Sequence, residues 1–221
     1  MTTRRALLAL AATLLPAAAP VRPTRLTVAG PADGALAQPA AALIEALRNG
    51  GEAIAVETVG TADGATGANR FTASAVADGS DLLMLPGEAL QAWLAGDPRA
   101  RYEPARWIPL AAAVQPVAKY QRLVDPDPAL RAAEQAMRNA TQIVWLLVLP
   151  PLTGAQAAAA WRHRTGIALD HLRARDTSRA QDTATRLLDA PEAAEVLAAT
   201  VPDEASLLAY RGSRSRRLNP G

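Results

Sequence analysis

One unit occurs twice in the first 77 residues and restricts the fold more than anything else in the chain: a short apolar run, a turn of Gly, Asp and small residues, and a helix-period stretch. RLTVAGPADGALAQPAAALIEALRNG (25–50) is the first copy and AIAVETVGTADGATGANRFTASAVA (53–77) the second; after Asp78-Gly79 comes a third apolar run, DLLML (81–85). Such runs, bounded by turn residues, predict strands, and apolar residues every three or four positions predict amphipathic helices. Strands alternating with helices imply a parallel sheet with right-handed crossovers. The turns then gather at the carboxyl ends of the strands, where α/β sheets hold ligands and where a helix N-terminus offers N–H groups to an anion. For one turn taken alone, Gly30 and Gly34 equally well supply backbone freedom in an ordinary connection.

The pattern continues along the chain. GEALQAWLAG (87–96) reads as a short helix and YEPARWIPLAAAV (102–114) leads into a strand, while WIPLAAAVQPVAKYQRLV (107–124), broken at Pro116, is suited to carry the chain between domains. DPALRAAEQAMRN (127–139) predicts a helix, Thr141 to Val148 a buried strand, LPPLTG (149–154) a third strand-to-helix turn, and AQAAAAWRHRTG a helix stopped by Gly166. IALDHLRA (167–174) reads as a strand, SRAQDTATRLLDA (178–190) as a helix, AEVLAAT (194–200) as either, and SLLAYRGSRSRR (206–217) as a strand. Three similar turns spread over two halves suggest facing walls of a cleft.

Composition removes several function classes. The chain has 221 residues, 50% hydrophobic and 4% aromatic, which suits one large or two small globular domains without a base-stacking platform. Its formal charge is +2, with much of the basicity in Arg4, Arg5 and the tail from Arg211 to Arg217, so no nucleic-acid partner is expected. No cysteine and only two histidines, His163 and His171, exclude thiolate chemistry and a His-rich metal site; no cofactor is expected. MTTRRALLALAATLLPAAAP has a charged start, an apolar run from Ala6 to Leu15 and small residues Ala17 to Ala19, which predicts a signal peptide over residues 1–20 and a periplasmic product. Thr3-Arg4-Arg5-Ala6-Leu7-Leu8 also fits a twin-arginine export motif.

Five segments in order resemble the extracytoplasmic solute receptors of the tripartite tricarboxylate transporter family, the Bug receptors. The first is the turn Pro31, Ala32, Asp33, Gly34 after a strand; the second is ETVGTADGATG with Glu57, Ala62, Gly64 and Gly67. Asp78, Gly79 and Leu82-Leu83-Met84 follow, then YEPARWIPLA from Tyr102, and finally Gly166, His171, Ala180, Asp182, Leu187 and Leu188 in one run. The resemblance spans about residues 22 to 217. It implies a two-lobed, type II periplasmic-binding-protein-like α/β fold with parallel-rich sheets flanked by helices. The expected parts are a first lobe over 21–115, a second over 116–200 and a return toward the first over 201–221; the early end at Gly221 implies that the first lobe is incomplete.

The function implied is binding without chemistry. Asp33, Gly34 and Ala35 on the first turn, with Asp63, Gly64 and Ala65 on the second, would hold a small carboxylate or amino-acid-like solute at helix starts. Thr153 and Gly154 would close over its far end, and Thr61, Thr177 and Ser178 are further hydroxyl donors; membrane transporter subunits would read the closed form. The loops depart from the family pattern, however: Asp33 and Asp63 stand where the family has Gly, and Pro150, Pro151 and Leu152 where it commonly has Ser and Gly. Added carboxylates repel an anion, which keeps in view a degenerate, truncated relative that has lost ligand transport. Asp33 and Asp63 also admit a paired-carboxylate acid/base reading, though Asp in such turns more often caps a helix, and an enzyme is not expected. His171 on its expected strand has no nucleophile elbow to serve.

Overall fold

The computed structural model describes residues 22–115, 127–176 and 185–218. Its strands are β1 (Thr24–Ala29), β2 (Ile54–Val59), β3 (Asp81–Leu85), β4 (Ile108–Val114), β5 (Ile143–Leu149) and β6 (Arg186–Leu188). The helices are α1 (Ala37–Asn49), α2 (Ala65–Ser74), α3 (Gly87–Leu94), α4 (Pro128–Gln142), α5 (Ala155–Asp176), α6 (Ala190–Ala199) and α7 (Glu204–Leu218), with one turn of 3-10 helix at Pro104–Arg106. All six strands form a single sheet in the order β2-β1-β3-β5-β4-β6.

The first three strands are parallel, as the repeated unit predicts: Leu26 lies between Val56 and Leu82. β5 then runs antiparallel to β3, placing Leu83 opposite Val148 and Leu85 opposite Leu146, and β4 runs antiparallel to both β5 and β6. The α/β architecture is therefore as expected, but the strands assigned to two lobes share one sheet. The physical reason is that IVWLLVL is apolar on both faces, with six of its seven residues buried, so it needs a neighbour on each edge and a helix layer on each side. β3 and β4 supply the edges. The linker assigned to 116–126 lies outside the described residues.

Alternate side chains of each strand feed opposite layers. Leu82 and Met84 join α1 and α5 with Leu26, Val28, Leu43, Leu147 and Trp161, whereas Leu83 and Leu85 join α2, α3, α4 and α6 with Phe71, Leu90, Leu146 and Val148. Each fully buried Leu contributes about 1.5–3 kcal/mol by leaving water, which makes β3, buried at all five positions, a central strut.

Four expectations fail in the last third. Gly166 does not stop a helix, and IALDHLRA is not a strand: α5 runs through both to Asp176, leaving His171 exposed on a helix. Trp161, Thr165, Ala168 and Leu169 are buried at helical spacing against α1, and the Thr165 hydroxyl donates to the Trp161 carbonyl at 2.8 Å, satisfying itself within the helix. Residues 186–188, expected in a helix, form β6, which closes the edge beside β4. SLLAYRGSRSRR lies in α7, whose start is capped by the Asp203 carboxylate accepting from Ser206 N–H at 2.8 Å. AEVLAAT, readable either way, lies in and just beyond α6.

Candidate functional site

The two Gly-rich turns do lie on one edge of the sheet, at the carboxyl ends of adjacent parallel strands β1 and β2. They are built differently. In the second turn Gly64 adopts φ +70, a left-handed conformation, and a β-carbon there would come within 2.6 Å of the Pro86 ring at the end of β3. Gly67, in the first turn of α2, lies so close to β1 that a β-carbon would stand 2.7 Å from the Ala29 Cα and 2.8 Å from the Val59 carbonyl oxygen. The α2 terminus is thus seated on β1, with Pro86 filling the space beside it.

Three donors of this turn find partners within it. Gly64 N–H donates to the Thr61 carbonyl at 3.0 Å, and Ala65 N–H donates to Asp63 Oδ1 at 3.2 Å. The Thr61 hydroxyl, expected to face a ligand, donates to the same Asp63 oxygen at 2.8 Å. Arg99 from the segment after α3 approaches the other Asp63 oxygen at 3.0 Å and also pairs with Asp97 at 2.7 Å. Asn69 fixes that segment by donating to the Arg99 carbonyl at 2.5 Å and accepting from Arg101 N–H at 2.9 Å. The Thr61 hydrogen bond holds the Asp63 carboxyl below its ordinary value, helped by the Ala65 N–H and the Arg99 charge against partial burial. Asp63 is therefore the anion at the α2 N-terminus.

The first turn is looser. Gly34 N–H donates to the Pro31 carbonyl at 3.0 Å and Ala37 N–H to the Gly34 carbonyl at 2.9 Å, while Pro39 in the first turn of α1 has no N–H to give. Asp33 and Ala35 are exposed; α1, like α2, has no side-chain hydrogen bond from its N-cap residue and no acidic residue in its first turn, but no aspartate precedes its cap to reach the helix start. Its supply of backbone donors is small.

The third turn is not a facing wall. Because β5 is antiparallel to β3, it delivers residues 150–154 to the opposite end of the sheet, beside the amino end of β3. There the Trp161 indole donates to the Gly79 carbonyl at 2.7 Å. Thr153 is buried and its hydroxyl donates to the Pro150 carbonyl at 2.9 Å; the Gly154 carbonyl accepts from Ala158 N–H at 3.0 Å. Leu152 stands 84% exposed in a left-handed conformation unusual for a branched side chain. Thr177 and Ser178 lie outside the described residues. The structure thus brings Asp33, Gly34 and Ala35 to the same edge as Thr61, Asp63, Gly64 and Ala65, and places Thr153 and Gly154 at the other.

Sequence reasoning missed Arg99, Asp97, Asn69 and Pro86, which set the character of the second turn. Nothing local to residues 60–67 signals them. Among the described residues no group of three or more His, Asp or Glu is placed to hold a metal ion, and no helix is long and apolar enough to cross a membrane.

This architecture is that of periplasmic-binding-protein-like α/β folds. A TctC solute binding protein from Polaromonas, solved with no ligand, is similar with a TM-score of 0.59 and 13% identity, over 89% of this chain and 99% of that one. The periplasmic binding protein BugD is similar at 0.58 and 16% identity, over 90% and 98%. A periplasmic transporter is similar at 0.58 and 15% identity over the same shares. No protein-family model and no curated protein matches the chain. At this identity the likeness defines the fold.

Proposed function

We propose that the chain is an extracytoplasmic solute-binding protein of the tripartite tricarboxylate type, exported through its N-terminal signal, that takes a small solute at the carboxyl edge of β1–β3 for membrane transporter subunits. The likeness to TctC and BugD over nine-tenths of the chain carries this reading. It involves no turnover and no cofactor. The edge chemistry then narrows the solute. Asp63 already accepts from the first N–H of α2, and Asp33 adds an exposed negative charge at the neighbouring turn, so the wild-type edge disfavours a carboxylate. A neutral or amine-bearing solute, amino-acid-like in size, suits it better.

A second reading has its own observation. Thr153 and Gly154 lie at the far end of the sheet, so the expected second wall does not face the two turns. This favours a relative that keeps the fold and has lost ligand transport. Thermal shifts of the wild type and of Asp33→Gly plus Asp63→Gly, measured against mono- and dicarboxylates, amino acids and amines, separate the two. A solute at 100 times its Kd adds about 2.7 kcal/mol to the folded state. The receptor reading expects a shift with an amine-bearing or neutral solute in the wild type and a carboxylate shift in the double variant. No shift for either protein with any solute leaves the second reading standing.

A further inference from the structure

A groove of about 750 Å³ lies between the end of α3, α4 and α7, away from the first Gly-rich turn and within the size range of small-ligand sites. One wall is apolar, formed by Ala92, Ala95 and Met137; the other carries Tyr210, Arg211 and Arg214 of α7.

Arg211 is held in place from three sides. Its guanidinium donates to the Trp93 carbonyl at 2.6 Å and the Leu94 carbonyl at 3.4 Å, and it lies over the Trp93 ring at 5.7 Å from the centroid. Its Cδ approaches Gly96, where a β-carbon would stand 3.0 Å from it. Gly96 leaves the room this arginine needs. A cation at the carbonyl end of α3 also complements that helix dipole.

Arg214, one turn further along α7, is exposed on the same groove. The acidic group there is Asp97, whose carboxylate is taken by Arg99 at 2.7 Å. The Arg214 charge still reaches it, adding to the hydrogen bonds from Arg99 that lower its pKa. Arg211 and Arg214 outnumber Asp97 along the groove, which leaves its α7 wall cationic opposite an apolar face.

We infer that the groove between α3, α4 and α7 binds a small amphiphilic carboxylate, with its head on Arg214 and the open side of Arg211 and its hydrocarbon against Ala92, Ala95 and Met137. Guanidinium groups take carboxylates in paired, charge-assisted hydrogen bonds, and the apolar wall selects a monoanion with a tail over a compact dianion. The groove adjoins the second turn through Arg99, which pairs with both Asp97 and Asp63, and stands apart from the first turn.

The test uses hexanoate as probe, with hexan-1-ol as its uncharged counterpart, in calorimetric titrations of the full chain. Hexanoate is expected to bind saturably and hexan-1-ol at least about tenfold more weakly, since one charge-assisted contact is worth about a factor of ten or more. Arg214→Gln, an exposed change, should weaken hexanoate by a similar factor, and Ala92→Asp, which puts a carboxylate on the apolar wall, should abolish it. Asp33→Gly should leave it unchanged, which separates this site from the first turn. Absence of hexanoate binding, equal affinity for hexan-1-ol, or binding indifferent to both Arg214→Gln and Ala92→Asp would overturn the inference.

Discussion

The turns 30–36 and 60–64 follow the same strand-to-helix plan and contain the same Asp-Gly pair, yet one is an open loop and the other a locked one. At the first, Asp33 is exposed and α1 starts at Ala37, three residues after Gly34. At the second, α2 starts directly after Gly64, Gly67 touches β1, and Asp63 gathers Thr61, Ala65 and Arg99. The difference shows what an Asp-Gly turn can become. Where the helix is pulled down onto the sheet, the aspartate falls within reach of its own helix terminus and fills it; where the helix stands off, the charge stays in solvent.

The largest expected contrast is steric. Gly67→Ala forces α2 off β1, because backbone atoms of Ala29 and Val59 occupy the β-carbon position, and should cost about 3 kcal/mol. Gly30→Ala meets nothing within 4 Å and should stay within about 0.5 kcal/mol of wild type. Chemical denaturation of both measures the gap; equal stabilities would mean that α2 is not seated as described.

The next contrast is electrostatic. Asp63→Ala removes the acceptor of the Ala65 N–H and should cost about 1 kcal/mol at neutral pH, while Asp33→Ala should be within about 0.5 kcal/mol. The sign with pH follows from the lowered carboxyl of Asp63. Its stabilisation is complete above the unfolded value of about 3.9 and disappears as pH falls through the lower folded value. Denaturation midpoints of wild type and Asp63→Asn should therefore converge in acid and separate above pH 5. Convergence at high pH instead would reverse the assignment.

A smaller effect isolates the hydroxyl. Thr61→Val removes the strongest influence holding the Asp63 carboxyl down and should let it rise toward the ordinary carboxylate range, with little change in the fold because Thr61 is exposed. An Asp63 titration unchanged in this variant would assign the lowering to Arg99 and the Ala65 N–H alone.

These turns also mark how far the amino-acid sequence can be read. The run from β1 to α3 is legible because short apolar stretches are punctuated by Gly, Pro and Asp at each boundary. Strand direction is not: the continuous apolar run IVWLLVL looks the same parallel or antiparallel, and that one unknown moved Thr153 and Gly154 to the far end of the sheet. IALDH mimics a strand over five residues, and only the longer spacing through Trp161, Thr165, Ala168 and Leu169 reveals the helix. Within the site, Asp63 was visible as a charge out of place, but Arg99, 36 positions later, reaches it through a tertiary contact that no local pattern encodes. The Asp203 cap of α7, by contrast, was available as a helix-start signal ahead of Ser206, and the basic, Gly-containing tail obscured it.

The central claim is that the α2 terminus is filled from within, by Asp63. The most direct measurement is an NMR pH titration that follows the Asp63 carboxyl carbon and the Ala65 amide together. The account predicts an Asp63 midpoint below the ordinary aspartate value of about 3.9 and an Ala65 amide shift moving with the same midpoint. An Asp63 that titrates at the ordinary value, with an Ala65 amide that does not respond, would contradict it and leave the α2 terminus open to an external anion.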